Sequence, residues 1–412
     1  MNIAAILGSL GGPVLVAIVM FILGLIFRAS FKNSLRGGIY AGIGLAGLFV
    51  IINNATATLT PAIQAFSERF NTSLTVTDVG WGSAGIAFSW PGLALVIVAI
   101  IIVNIIMIFT GLTKTMWTDI WSYWHGQVVG GFVWYATGSV ILGVIAAVIF
   151  LVIGSWVADA TAKKYQEFNG LPGISVPCAV SLLGIFAQPF NALIDKIPGL
   201  RDINASPENI RKRMGIFGEL GVMGVVIGVA IGILAGYDYA AVLNLGIQIG
   251  VLMIFLPKAV SVLCEGVIPI ANAVNEFVQD RFEGKELYVG VDCAALVGHP
   301  SVMASAVLVY PLAVILALLL PGNGMIPIAS LAIVPYWCGA AAPQLKGNVF
   351  RIVLFTLVWM IPAFYIATAM APVHTGTMAA LGLSDANVIN SSFDMGGDLL
   401  GFIITKIFSL FT

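Results

Sequence analysis

From Tyr288 to Ala306 the chain reads YVGVDCAALVGHPSVMASA, a Gly- and Ala-rich apolar segment that holds a carboxylate, Asp292, and an imidazole, His299. An ionised Asp at the centre of a membrane span costs about 2.5–3.5 kcal/mol on insertion scales, so an acid kept there is a functional candidate. Its chemistry would be to accept hydrogen bonds from ligand hydroxyls. A similar sentence, VTDVGWGSAGIAFSWPG, runs from Val76 to Gly92 and sets Asp78 close to Gly82 and Ser83. A third polar group, WTDIWSYWHGQ, carries Asp119, Trp124 and His125. An aromatic face covers the apolar C–H surface of a polyhydroxylated ligand while an imidazole reads its hydroxyls. Glu219 opens an apolar run after a charged stretch, where it can bind ligand or favour a helix N-terminus.

Each residue also has a structural reading. Asp78 and Asp292 can cap backbone N–H groups in a hairpin, and His299 can bond a carbonyl of a neighbouring helix. Trp117 and Trp121 read best as an interfacial aromatic belt. Asp119 can pair with Lys114. Lys346, Arg351 and Lys406 read as snorkelling anchors.

The elements that position these groups follow from composition. Hydrophobic residues make up 59% of 412, charged residues 9%, and the mean hydropathy is +1.03, against about 25% charged in soluble domains. This is an all-α polytopic membrane protein. A net charge of −1 with no long basic run gives no sign of nucleic acid. Cys178, Cys264, Cys293 and Cys338 lack the spacing of a zinc site or a disulfide framework and read as small core residues. Without HExxH, GxSxG or paired histidines no catalytic residue, metal or cofactor is expected. The first apolar run lacks a basic leader and reads as a retained span rather than a signal peptide.

A span needs roughly 20 apolar residues. Ile3–Phe27 qualifies, and Arg28, Lys32 and Arg36 in the loop after it mark the cytoplasm. Gly37–Asn53 is a second span and Ala55–Thr77 an interfacial amphipathic helix. Asp78–Trp90 reads as a re-entrant hairpin. Pro91–Leu112 and Phe132–Val157 are spans, Ala158–Gly170 is charged, and Leu171–Ile194 is a short hairpin with a span. Residues 195–213 form the most polar stretch, a cytoplasmic linker. The plan then repeats: spans at Phe217–Ala235 and Tyr239–Leu256, an amphipathic stretch Lys258–Leu287, the Asp292 segment, spans at Ala306–Leu320 and Val349–Met370, a loop with His374, and a broken span Asn390–Phe411.

Asp292 follows Asp78 by 214 residues, and Trp337 follows Trp124 by 213. The turn after the first span carries three basic residues, whereas its counterpart carries only Asp238. Residues 1–194 and 214–412 are therefore expected to be two inverted repeats of about five spans each, with re-entrant hairpins and interfacial amphipathic helices, and with substrate at their interface near the midplane. Inverted repeats of this kind mark transporter architectures, and an ion-coupled symporter using Asp78 or Asp292 as its ion site fits this one.

The motifs DVGW (Asp78–Trp81), DIWSYWHG (Asp119–Gly126), FGEL (Phe217–Leu220), LAGYD (Leu234–Asp238) and GVDCAALVGH (Gly290–His299), in order over nearly the whole chain, resemble the galactitol-type IIC component of the bacterial phosphoenolpyruvate-dependent sugar phosphotransferase system. The resemblance implies an inner-membrane permease for a sugar or alditol, related to the ascorbate permeases. It implies a homodimer with a fixed interface part and a moving core, serving a phosphorylated cytosolic IIB that is recharged by IIA. The expected substrate-binding set is Asp78, Gly82, Ser83, Asp119, Trp124, His125, Glu219, Asp292 and His299. The resemblance departs at Cys178, where a histidine is expected after the proline, and this leaves the member of the galactitol-like substrate group open.

Overall fold

A computed structural model describes residues 11–26, 28–69, 75–83, 86–87, 90–117, 123–203, 205, 207, 220–279, 286–327 and 329–411. In chain order, α1 (Gly11–Ile26) and α2 (Phe31–Arg69) lead to a short strand β1 (Thr77–Asp78) and a 3-10 turn at Gly80–Ser83. There follow α3 (Leu93–Phe109), β2 (Thr115–Trp117), α4 (Tyr123–Thr137), α5 (Val140–Asn169), β3 (Ile174–Ser175) and α6 (Ser181–Ile194). The second part runs α7 (Leu220–Leu234), α8 (Tyr239–Gln279), β4 (Tyr288–Gly290), a 3-10 turn at Cys293–Leu296, α9 (Pro300–Leu319) and a 3-10 turn at Ala329–Ile333. It ends with α10 (Val334–Ala341), α11 (Val349–Ala380), β5 (Asn390–Ser391) and α12 (Leu399–Phe408).

Among the described residues α5, α9 and α11 are long and apolar enough to cross a membrane. The shorter α3 leaves Leu95, Val98, Ile101, Ile102, Ile105, Ile106 and Phe109 uncovered, an apolar surface suited to lipid. Chain breaks fall where backbone groups find local partners. Ser139 accepts from the Leu142 N–H to start α5, and Gly170, at φ 66°, closes it with its own N–H on the Gln166 carbonyl.

Several expected boundaries are corrected. The second span and the amphipathic stretch after it are one 39-residue helix, α2, which carries Pro61 in its interior. Lys258–Leu287 likewise continues from Tyr239 as the 41-residue α8, which ends at Gln279. The polar residues that read as a break do not stop the helix because they find partners across the pair: Asn54 Nδ2 donates to Gln248 Oε1 at 3.0 Å. At 1.5 Å per residue α2 is about 58 Å long, far beyond a hydrocarbon core of about 30 Å. The expected span Phe132–Val157 is instead divided at Gly138 and Ser139, and the charged stretch Ala158–Gly170 is the end of α5. His374 lies inside α11 and not in a loop.

α2 and α8 pack against each other in opposite directions. Gly37 meets Gly266, Gly47 meets Ala259, Asn54 meets Gln248, and Arg69 Nη1 donates to the carbonyls of Ile233 and Leu234 at the end of α7, just before α8 begins. A Cβ on Gly266 would strike the Gly37 carbonyl and the Ala41 N, so the crossing needs glycine. A Cβ on Gly42 would come within 2.8 Å of the Pro13 carbonyl, and one on Gly228 within 2.7 Å of Gly246 Cα. These small-residue contacts lie within one chain. Antiparallel α2 and α8, with α1 and α7 on them, form one body.

The short strands tie the two parts of the chain together. β1 pairs in parallel with β5, Thr77 opposite Asn390 and Asp78 opposite Ser391, and Val76 bridges to Met325 on its other side. β4 pairs in parallel with both β2 and β3, Val289 opposite Met116 and Ile174. Each central strand is thus flanked on both sides by segments from the other part. The Val79 N–H bonds the Ser391 carbonyl as the Val291 N–H bonds that of Ser175. By this match Asp78 lies on its ladder, whereas Asp292 stands two residues further along than the position corresponding to Asp78.

Candidate functional site

α4 begins at Tyr123, which places Trp124 and His125 in its first turn, both buried, with ring centroids 4.2 Å apart. His125 Nε2 lies 3.2 Å from Asp394 Oδ1, and its Nδ1 lies 3.9 Å from Cys178 Sγ. Cys178 and Asp394 come from the irregular segments after β3 and β5. Cys293 comes from the turn after β4, its Sγ 3.9 Å from Asp292 Oδ2. Tyr336 on α10 is within electrostatic range of Asp292, Cys293, Cys178 and Asp394. Trp124, His125 and Asp292 therefore converge on one buried polar cluster built from both parts of the chain. Asp292 is half-buried and also accepts from the Ala294 N–H at 2.8 Å, so it caps the turn it opens.

A second cluster gathers around the Gly80–Ser83 turn that holds Gly82. Asp78 accepts from the Gly80 N–H at 3.0 Å, from the Ser330 N–H at 2.7 Å and from Ser330 Oγ at 2.6 Å. Ser83 Oγ is 2.8 Å from both His374 Nε2 and Ser392 Oγ, and His374 Nδ1 is 2.6 Å from Asn390 Oδ1. The stretch after β5 stitches the two clusters: Ser392 meets Ser83, the Phe393 N–H donates to Ser330 Oγ, and Asp394 meets His125. The Phe393 ring packs on Trp337, centroids 5.3 Å apart. Helix interiors satisfy their own backbone; these unwound turns can offer side chains and backbone groups to a ligand.

The remaining expected residues lie elsewhere. His299 caps α9, its Nδ1 accepting from the Ser301 N–H, and stacks on Phe168 with centroids 4.1 Å apart. Asp119, Trp121 and Glu219 fall outside the described residues. Trp117 is no interfacial belt residue: it is buried, with Nε1 donating to Ser155 Oγ at 2.6 Å. Lys114 pairs with Glu286 at 2.8 Å, both side chains about half exposed. Arg351 is buried and not a snorkelling anchor; its guanidinium holds Asn191, Asp195 and the Arg201 carbonyl. The expected binding set did not include Cys178, Asp394, Tyr336, Ser330 or His374, although Cys178 stood out as the departure from the expected histidine. Asp394 was findable, since SSFDMGGD repeats the pattern of an acid among small residues.

Apolar helices around buried polar turns define a helical membrane protein. Residues 5–386 match the family described as the PTS system sugar-specific permease component. The chain is 35% identical over 406 residues to a putative permease IIC component of Escherichia coli (strain K12), covering 98% of this chain and 93% of that protein. It is 32% identical over 404 residues to the galactitol-specific EIIC component of the phosphotransferase system of the same strain, covering 97% and 89%. The chain belongs to the sugar-specific IIC permease family of the phosphotransferase system. Such a component is a transport subunit and not itself a catalytic enzyme, and the family works with a sugar substrate and a IIB partner.

Proposed function

We propose that this protein carries galactitol or a closely related polyol across the bacterial inner membrane and presents it to phosphorylated cytosolic IIB, which IIA recharges. The observation that carries the reading is the convergence of Trp124, His125, Asp292 and Asp394 in one buried cluster. An aromatic face beside carboxylate and imidazole suits a neutral polyol. The relative named for galactitol supports the substrate class. Against the symporter alternative, both Asp78 oxygens already accept hydrogen bonds from Gly80 and Ser330. Asp78, Gly82 and Ser83 then support the site from the second cluster.

In the same reading, residues 1–194 and 214–412 are inverted repeats joined by the linker 195–213, and the protein is a homodimer. The antiparallel run of α2 and α8 supports the inversion, as does the reciprocal exchange of strands. The body of α1, α2, α7 and α8 is the scaffold. The remaining helices move with the site as an elevator-like core, which keeps Asp78 and Asp292 out of lipid. The test is uptake of labelled galactitol by vesicles containing this chain, with and without phosphoenolpyruvate and the soluble partners. Phosphorylated galactitol should accumulate only with the partners present; accumulation driven by a proton or sodium gradient alone would favour the symporter.

A further inference from the structure

The sequence scatters its cysteines, but the fold brings two of them together. β3 and β4 pair with Ser175 opposite Gly290, so Cys178 and Cys293 each lie three residues beyond the same ladder position. Past the ladder the two segments stay close: a Cβ on Gly290 would come within 3.0 Å of the Pro177 ring, next to Cys178. Both thiols are free and buried, Cys178 Sγ facing His125 and Cys293 Sγ facing Asp292, and each stands within electrostatic reach of the other. Behind Cys178 stands His125, its Nδ1 3.9 Å from the sulfur, and behind His125 stands Asp394, 3.2 Å from Nε2. In such a line the imidazole can take the thiol proton while the carboxylate orients the ring. Cys338 has no comparable setting; its sulfur faces Thr356 Oγ1 at 3.6 Å.

We propose that Cys178 and Cys293 form a reversible dithiol–disulfide switch that responds to hydroperoxides and, when oxidised, closes the substrate site. The Cys178 sulfur, its proton passed to His125, attacks the peroxide; the O–O bond breaks, leaving a sulfenic acid on Cys178 and a hydroxide that takes that proton as water. The Cys293 sulfur then attacks the sulfenic sulfur, the S–O bond breaks, and a second water leaves with the Cys293 proton. Two thiols are oxidised by two electrons and hydrogen peroxide is reduced to two waters; a dithiol reductant reverses the change. An S–S bond of about 2.05 Å draws the Cys293–Leu296 turn against the segment after β3, moving Asp292 and removing the thiol that His125 faces. The closing effect rests on the reading that His125 and Asp292 meet the substrate.

The test uses the full chain in native membrane vesicles, treated with hydrogen peroxide or with dithiothreitol, then alkylated, digested and read by mass spectrometry. A linked Cys178–Cys293 peptide should form in the native protein and in Cys338→Ser, and be absent from Cys178→Ser and Cys293→Ser. Oxidation should lower galactitol uptake by at least about tenfold, reversed by dithiothreitol, and slow hydrogen exchange at the amides of residues 293–298. No linked peptide, or a linked peptide with unchanged exchange, overturns the switch. A protein that forms the linked peptide and shows slowed exchange on oxidation, but carries no polyol when reduced, would instead count against the proposed substrate.

Discussion

Asp292 separates binding from capping. Asparagine keeps an oxygen for the Ala294 N–H and ranks with aspartate as a cap, but it lacks the charge that makes a carboxylate the stronger acceptor for hydroxyls. If the proposed polyol site is right, Asp292→Asn should therefore weaken galactitol binding by about 1–3 kcal/mol, read by calorimetry, with the protein still folded. Unchanged affinity would leave Asp292 as a cap alone. Arg351 poses the opposite case, a buried cation that gathers Asn191, Asp195 and the Arg201 carbonyl where the chain leaves α6. Asp195 is about half exposed and can regain water. Arg351→Ala should then cost about 1–3 kcal/mol, less than the 3–5 of a fully buried pair. Thermal unfolding in detergent would show the loss, and substrate affinity in the surviving fold should stay within twofold or so.

Element packing rests on a few glycines, and their surroundings differ enough to be ranked. A Cβ on Gly266 meets backbone atoms of Gly37 and Ala41, which cannot step aside without parting α2 from α8. A Cβ on Gly47 meets only Ala259 Cβ at 3.5 Å, an ordinary contact. Gly266→Ala should destabilise by about 1–3 kcal/mol, as overpacking does, whereas Gly47→Ala should be close to neutral or stabilising. Equal melting temperatures for the two variants would mean that the crossing is looser than these contacts require. The same logic accounts for the long helices: α2 continues through Pro61 and its polar residues because Asn54 and Arg69 are met by Gln248 and by the α7 terminus.

Over the whole molecule, two positions report orientation, and Lys32, expected in a loop, is in the first turn of α2. Lys32 lies at the start of α2, while the Asp238 turn lies beside Arg69 at its end, so a helix of about 58 Å stands between them. Single cysteines at Lys32 and Asp238 should label from the cytoplasm and from outside respectively; labelling from one side would remove the inverted-repeat reading. In the proposed division into scaffold and moving core, a cysteine pair joining α7 to α9 should stop transport when cross-linked while leaving binding accessible from one side. Transport at the normal rate in the locked protein would mean that the core does not move as a unit.

The sequence alone determined the helical membrane class, because 9% charged residues leave no polar face for water. It also placed Asp78, Asp292, Trp124 and His125 among its candidates, since acids and imidazoles are costly amid apolar residues and stand out there. Helix limits at Asn54 and His374 were beyond it, because each depends on whether a residue from another segment satisfies a polar group: Gln248 for Asn54, and Ser83 and Asn390 for His374. Tertiary structure alone decided which acids share a cluster. It paired β4 with β3 and β1 with β5, and through those ladders set Cys178 beside Cys293 and Asp394 beside His125. Strands of two or three residues leave almost no periodic signal; they form here only because helices packed around them exclude water and leave their backbone groups no partner but each other.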